Sequence, residues 1–472
     1  MSRFAPEVLP ARGVQFPLSV SVLIVGAGAA GLTAALAARD AGADVLVLER
    51  DAVPQGSTAL SSGLVPAAGT RAQAARGIVD TPEIFARDIQ AKARGHAEPR
   101  LVVTLTTTIG PTLDWLADVH RVPFSVVEGF LYPGHSVLRM HGTPKRTGAE
   151  LIVYLGDATA RAGVDVATDA HVHALYVEDD QIAGVRIDRP DGTMEMIGCG
   201  ALVLACSGFG GNAGMVRQCI PEMASALYFG HAGNQGDALA WGWGLGAATR
   251  DMGAYQGHGS VATPYNILVT WALMMEGGFQ VNAAGQRFSN EHLGYSEQAR
   301  AVLAQPGGFA WNVYDERRHM LGLEFEDYRE AVAAGAIHSA PGMRELAREL
   351  GLPEQALADT QNAVEDMVNG RQSDPWARDF SAKPVLKAPF YGVKVTGALF
   401  HTQGGLLVDD SARVLRAGGA PLPNLFAAGG AACGLSGPEC WGYLSGNGLL
   451  AAIGLGRIAG SSAAATSRFR LP

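Results

Sequence analysis

In VSVLIVGAGAAGLTAALAARDAGADVLVLER, residues 20–50, three glycines and one carboxylate stand where a dinucleotide would need them. Gly26 permits a tight turn, Gly28 lets backbone approach a pyrophosphate, and Gly31 lets a helix pack closely on a strand. With Ala30 they open a helix whose unpaired N–H groups and dipole favour an anion. Glu49 ends the next apolar run, where its side chain suits a ribose hydroxyl and disfavours a 2′-phosphate. Arg50, next in the chain, joins the candidate cofactor contacts.

The hydroxyl-rich stretch Gly56-Ser-Thr-Ala-Leu-Ser-Ser-Gly63 reads as a loop. Such a loop lets backbone come close to a flat ring, and Ser57, Thr58, Ser61, Ser62 and Gly63 are its candidate contacts. A second apolar strand, 201–205, ends at Ser207-Gly208-Phe-Gly-Gly211 and suggests another contact with the same long ligand. Gly236-Asp237 opens a further helix beside it. Near the C-terminus, Leu425-Phe-Ala-Ala-Gly429 and a Gly/Ala-rich helix from Gly446 to Gly460, with Leu449 in its first turn, echo the opening unit.

The elements that must position these residues alternate strand and helix. Thr81-Pro82-Glu83 carries a cap, a first-turn proline and an acidic residue, predicting a helix that stops at Gly95. Residues 111–118 and 147–162 show apolar residues at three–four spacing and predict helices. Residues 164–167, 174–177 and 182–187 predict strands, with turns at Glu178-Asp-Asp-Gln and Pro190-Asp-Gly. Composition shifts at about residue 252, and amphipathic helices are expected at 341–350 and 353–368. The expected class is α/β, a Rossmann-like lobe with an inserted α+β domain. The first lobe is placed at 1–251 and 405–472, and the insertion at 252–404.

The chain has 472 residues, 48% hydrophobic and 17% charged, which is globular composition. A net charge of −9 argues against a nucleic-acid partner. Five cysteines at irregular spacing make neither a disulfide framework nor a metal site. The N-terminal residues lack an apolar signal core, and no uninterrupted apolar segment is long enough to span a bilayer. A cytoplasmic protein without a membrane span is the expectation.

The set Gly26-x-Gly28-x-x-Gly31…Glu49, Gly56-Ser-Thr…Gly63, Cys206-Ser-Gly-Phe-Gly-Gly-Asn212, Gly285-Gln-Arg-Phe-x-Asn-Glu291, His401-Thr-Gln-Gly-Gly405 and Leu425-Phe-Ala-Ala-Gly429 resembles the FAD-dependent fumarate reductase and 3-ketosteroid dehydrogenase superfamily. The resemblance covers nearly the whole chain in order. It implies FAD, a two-lobe flavoprotein with its active site between the lobes, and hydride exchange between flavin N5 and a carbon next to an activated carbonyl or carboxylate. The succinate dehydrogenase branch attaches FAD through a histidine in the loop after the first unit. Here Gly56-Ser-Thr-Ala has none, so non-covalent FAD is expected.

Fumarate reductases grip carboxylates with arginines, whose planar guanidinium makes paired charge-assisted bonds. One falls four residues after the Asn-Glu of the G-x-R-F-x-N-E motif, where this chain has Tyr295. Another heads an R-L-G-G-N stretch, which here is Tyr443-Leu-Ser-Gly-Asn447. Tyrosine at both places is similar to the ketosteroid dehydrogenases. The resemblance makes Tyr443 the donor to a substrate carbonyl, with the Asn447 or Gly448 amide as partner, and Tyr295 the base for the α proton. Tyr132, Tyr255 and Tyr265 are candidate relays for that proton. His258 in Tyr255-Gln-Gly-His258 and His401 occupy positions that contact substrate in the fumarate branch. Tyr132 also begins a polar stretch, Tyr132-Pro-Gly-His-Ser-Val-Leu-Arg139-Met-His141, expected over the flavin. Ser445 resembles the branch that acts at the 4,5 bond.

The expected activity is desaturation of a cyclic ketone, a 3-ketosteroid or a smaller cyclohexanone, with a separate electron acceptor. One alternative is a fumarate-type enoate reductase using His258, His401 and a displaced Arg139 or Arg287. The other is a flavin-binding electron-transfer subunit.

Overall fold

The apolar run that ends at Gly26 is the strand Leu18–Val25, within a nine-stranded sheet. Met194–Leu204 lies parallel beside it, with Leu204 opposite Val25, and Val45–Leu48 lies parallel on its other side, with Leu48 opposite Val25. Asp165–Ala167 extends the parallel set beyond Val45–Leu48. The long strand Met194–Leu204 takes two partners along its far edge. Gln181–Asp188 runs antiparallel against its first half, and Pro421–Ala427 runs parallel against its last residues. Several parallel strands therefore end along one edge, and the residues that follow them are Gly26, Glu49, Ser207 and Gly429. In open parallel sheets that carboxyl edge is where ligands bind.

This computed structural model describes residues 6–129, 131–381 and 383–467. The chain forms two units, one of Met1–Ile220, Gly230–Tyr255 and His401–Pro472, the other of Pro221–Phe229 and Gln256–Phe400. In the first, the helix Ala29–Asp40 packs on the tail helix Asn447–Ser467. Glycine makes the approach close: a Cβ on Gly456 would sit 2.6 Å from Ala30 O, and one on Gly460 2.1 Å from Ala34 O. Among the described residues this tail helix alone is long and apolar enough to cross a membrane, yet Leu450, Ile453, Leu455, Ala459 and Ala463 are buried in the unit's core.

The second unit is built on a seven-stranded sheet, whose main path runs Ile267–Leu268, Tyr255–Ala262, Phe390–Thr402, Phe309–Asp315, Phe279–Val281. The helices Met343–Leu350 and Glu354–Val368 bury Leu346, Leu350, Leu357 and Val364 against Phe279, Val281 and Val313. Burial of each such side chain is worth about 1.5–3 kcal/mol relative to exposure.

Several expectations from sequence are revised. Residues 221–229, assigned to the first lobe, belong to the second unit because Leu227 and Tyr228 pair with Ala398 and Leu399. The helix expected to begin at Pro111 begins at Pro99 and runs to Asp118, with Pro111 inside it. An interior proline costs about 3 kcal/mol, which made a helix start the natural reading. The hydroxyl-rich stretch after Gly56 contains a helical turn, Gly56–Ala59, and the tail helix continues beyond Gly460 to Ser467. The hairpin turn at 178–181 forms as expected, with Asp179 and Asp180 in left-handed backbone at φ 48 and 64.

Candidate active site

The glycines at the sheet edge have separable roles. Gly26 has φ 104, and a Cβ there would meet Ala205 O at 2.5 Å. A Cβ on Gly31 would lie 1.8 Å from Gly26 O. Gly28 differs: its Cβ would meet only Thr58 Oγ1, at 3.5 Å, so the space over this residue is open. Gly28 is the N-cap of Ala29–Asp40 and brings no side chain of its own, so the helix start presents backbone N–H groups, of which that of Ala29 is taken by Thr58. Open space over a glycine at a helix N-terminus fits a pyrophosphate.

Glu49 is buried, and its two oxygens accept from Ala27 N at 2.8 Å and Asp51 N at 3.1 Å, so the carboxylate is fixed beside the glycine turn. Thr58 Oγ1 accepts from Ala29 N at 3.1 Å, and Ser57 Oγ accepts from His231 N and Asn234 Nδ2. Ser61 turns back to Thr58 O and supports Gly63 N, whereas Ser62 is exposed. Arg50 donates to Gly233 O at 2.8 Å. Ser207 holds φ 67, a conformation that strains a non-glycine residue, and Gly208 and Gly430 lie against each other. Gly429, at φ 61, packs on Ala30 and Ala452. Gly236 is left-handed at φ 87, and burial raises the carboxyl of Asp237 beside it. Ala30 is buried, and Leu449 is half-buried in the first turn of the tail helix. Valine at position 28 would fill the open space with little backbone strain. Gly28→Val should therefore purify with far less FAD, by absorbance stoichiometry, while its circular dichroism stays that of the parent.

Tyr443 sits in the turn before the tail helix, 5% exposed. Burial pushes its hydroxyl well above the ordinary value, opposed by the N–H groups of Gly448 and Gly446. The His401 ring meets it edge-on at 5.6 Å, and a Cβ on Gly448 would lie 2.7 Å from His401 Nε2. His401 Nδ1 is 3.2 Å from Gln403 Nε2, and Gln403 Oε1 accepts from Ser436 at 2.8 Å. Burial holds the His401 imidazole down to about 4, so it is neutral at neutral pH. The Asn447 main-chain amide donates to Leu444 O at 3.0 Å, whereas the Gly448 and Gly446 N–H groups face the Tyr443 hydroxyl. The fully buried Asn447 side chain has no partner on either polar atom, an orphaned amide that a bound cofactor or substrate would satisfy. Ser445 is 3% exposed, and Tyr132 is half-buried with its hydroxyl pushed up to about 12 by burial.

In the second unit, Tyr295 is the first residue of the helix Tyr295–Leu303. It ends a stack of four rings: Phe229 on Phe400 at 4.9 Å, Phe400 on His258 at 5.4 Å, and His258 on Tyr295 at 4.9 Å, with Trp271 edge-on to His258 at 5.7 Å. The His258 Nδ1 is buried without a partner, and burial pushes the imidazole down to about 3. Of the candidate relays, Tyr255 is fully buried, while Tyr265 is 42% exposed and faces Gly335 O.

The two arginines named for a carboxylate grip are already engaged. Arg139 is bound by Asp80 and Asp88 with its side chain excluded from solvent. Arg287 is bound by Glu291 at 2.8 Å and by Asp374 at 2.5 Å. Sequence reasoning missed Asp80, Asp88 and Asp374, and the Phe229, Phe400 and Trp271 rings around His258, none of which a local motif marks; Glu291 lies in the quoted motif, but its pairing with Arg287 was not foreseen.

An open glycine turn at the carboxyl edge of parallel strands, with the Glu49 carboxylate fixed beside it, is a dinucleotide-binding arrangement. A family model described as FAD binding domain matches residues 21–449. The chain belongs to this family, and FAD is its cofactor. NADH:fumarate oxidoreductase of Klebsiella pneumoniae (strain 342) is 29% identical over 456 residues, which cover 96% of this chain and 48% of that protein. The chain thus spans about half the length of that relative. 4-Oxocyclohexanecarboxylate 2-dehydrogenase of Sinomonas cyclohexanicum is 26% identical over 518 residues, 87% of each. The open conformation of a flavocytochrome c3 fumarate reductase superposes with TM-score 0.81 at 28% identity, over 97% of this chain and 80% of that one. The 3-ketosteroid-Δ4-(5α)-dehydrogenase of Rhodococcus jostii RHA1, in complex with 4-androstene-3,17-dione, gives TM-score 0.77 at 25% identity, over 97% and 99%.

Proposed function

We propose that this protein desaturates a cyclic ketone at its α and β carbons, with a 3-ketosteroid or a smaller cyclohexanone as substrate. The observation that carries the reading is the Tyr443 hydroxyl beside the Gly448 amide in a buried turn. These are neutral donors suited to a ketone oxygen as it becomes enolate-like. A carboxylate would need a cation there, and both Arg139 and Arg287 are already neutralised. Bound FAD, held without a covalent link, supplies the hydride acceptor.

Tyr443 and the Gly448 amide orient the carbonyl and stabilise its developing charge. Tyr295 takes the α proton; it opens a nine-residue helix, whose first turn favours negative charge. His258 and His401, both neutral, order the site and exclude water. Ser445 favours chemistry at the 4,5 bond in a steroid substrate, and turnover would require a separate electron acceptor as partner.

Anaerobic incubation of the holoenzyme with a panel from cyclohexanones to 3-ketosteroids tests the reading. At least one ketone should bleach the bound flavin's visible absorbance within about a second, the slow end of a typical kcat range of roughly 1–10³ s⁻¹. If only fumarate or urocanate reoxidises the dye-reduced enzyme and no ketone bleaches it, the enoate reductase reading takes its place. A chain inert to every substrate would be the electron-transfer subunit.

A further inference from the structure

The turn Tyr443-Leu-Ser-Gly446 is clamped within its own unit from three sides. A Cβ on Gly446 would lie 2.6 Å from Pro66 Cδ and 3.3 Å from Met140 Cε. A Cβ on Gly134, left-handed at φ 82, would lie 2.6 Å from Leu444 Cδ1. The third contact is polar: His135 Nε2 is 2.9 Å from the Ser445 carbonyl oxygen.

That hydrogen bond has a determined sense. A carbonyl only accepts, so Nε2 must carry the proton. The other ring nitrogen demands the same arrangement, because Nδ1 lies 3.0 Å from Arg139 Nη1 and a guanidinium only donates. Burial, and after it the Arg139 charge, push the imidazole down to about 4, so the ring is neutral. Arg139 is itself immobile. Its Nε and Nη2 donate to Asp80 at 2.9 and 3.0 Å, Nη1 reaches Asp88, and the cation lies 4.6 Å from the centre of the Phe85 ring. Asp88 also accepts from Ser136 N and Oγ, both at 2.8 Å, which ties down the residue next to His135.

A buried cation with two carboxylates is a poor source of net stability, since desolvation offsets much of the attraction. What the cluster does supply is a fixed donor at one nitrogen of one histidine. We infer that His135 is a positioning residue for Tyr443: its Nε2–H fixes the Ser445 carbonyl, and Arg139, held by Asp80 and Asp88, keeps the ring in that single tautomer. The inference rests on the reading of Tyr443 as the carbonyl donor. Tyr443 lies two residues from the anchored carbonyl, and misplacing such a group by an ångström costs on the order of a hundredfold in rate.

Selective ¹⁵N-histidine labelling of the FAD-loaded protein reads the tautomer, with the His135 signal assigned by its loss in His135→Gln. Protonated Nε2 with bare Nδ1 is expected, and the opposite tautomer overturns the inference. With a ketone that bleaches the flavin, His135→Leu should lower kcat roughly tenfold to a hundredfold while KM moves by about twofold or less. His135→Gln, whose amide can still donate to Ser445, should recover most of that loss; a Gln variant as impaired as Leu counts against the anchor. In a Tyr443→Phe background His135→Leu should add about twofold or less, and a fully additive loss shows that His135 does not act through Tyr443. If His135→Leu does not accumulate, the tautomer and the Gln variant decide the matter. A fully active Tyr443→Phe enzyme instead sinks the ketone reading itself, a result separate from either of these.

Discussion

Tyr443→Phe and Tyr295→Phe enzymes will purify yellow, with the parent's flavin spectrum, and turn over a ketone substrate at a small fraction of the parent rate. For Tyr443→Phe the expected loss in kcat is roughly 10²–10³-fold, the effect of removing one donor from an oxyanion-type site, or about 2.7–4 kcal/mol in the barrier. The ring stays, so its contact with His401 and the buried turn should survive, and only the hydroxyl is lost. KM should change less than kcat, because the bond strengthens as charge reaches the carbonyl oxygen. For Tyr295→Phe the loss of a general base is worth about 10²–10⁴-fold, and the stack on His258 should be kept. Stopped-flow bleaching under anaerobic conditions measures both. Full activity in both variants would remove the residues on which the ketone reading stands.

Glu291→Gln should destabilise the second unit by about 3–5 kcal/mol, the cost of leaving a buried cation without its partner. Glu291 is fully buried and accepts from Arg287 at 2.8 and 3.1 Å, from Arg378 at 2.9 Å and from Gln280 N at 2.9 Å. In the variant, Arg287 keeps the Asp374 carboxylate, but Arg378 loses its charged hydrogen-bond partner and keeps the neutral Met274 carbonyl and the Phe380 ring. Burial alone would raise the Glu291 carboxyl; the two guanidiniums override it and hold it at about 2, against an ordinary 4.5. A carboxyl with a depressed folded pKa contributes its full stabilisation above the unfolded value and loses it as pH falls toward the folded one. The parent should therefore weaken between about pH 4.5 and pH 2, and the Gln variant should show a flatter profile over that window. Urea midpoints at several pH values test both parts. An unchanged midpoint at neutral pH would mean that the variant repairs the site, for instance by admitting water beside Arg378.

What the sequence revealed and what it hid divide along chain distance. The turn at Gly26, Gly28 and Gly31 was legible because its constraints are local: each glycine answers to a neighbour that any strand–turn–helix unit brings. The hairpin at 178–181 was legible for the same reason. The short strand Leu227–Tyr228 was not, because it pairs with residues near 398 and has no periodicity of its own. Arg139 looked available in sequence since Asp80 lies 59 residues before it; Arg287 did so because its pairing with Glu291, four residues on, and with Asp374, 87 residues on, is set only by the fold. The tyrosines at 295 and 443 could be found only through motif register. That the Asn447 N–H is spent on Leu444 O needed coordinates, because no motif marks that turn hydrogen bond.

The packing of Ala29–Asp40 against Asn447–Ser467 has a consequence for the order of assembly. The first helix, with Ala30 and Ala34 shaped to receive Gly456 and Gly460, emerges from the ribosome long before its partner exists. Closing so distant a contact carries a large entropic cost and slows folding. The second unit draws nearly all its residues from the continuous segment Gln256–Phe400 and can fold earlier during synthesis. The Ala-rich face of the first helix then waits unpartnered through most of translation. The nascent chain is most exposed to aggregation and chaperone capture during that interval, and acquisition of FAD would come late.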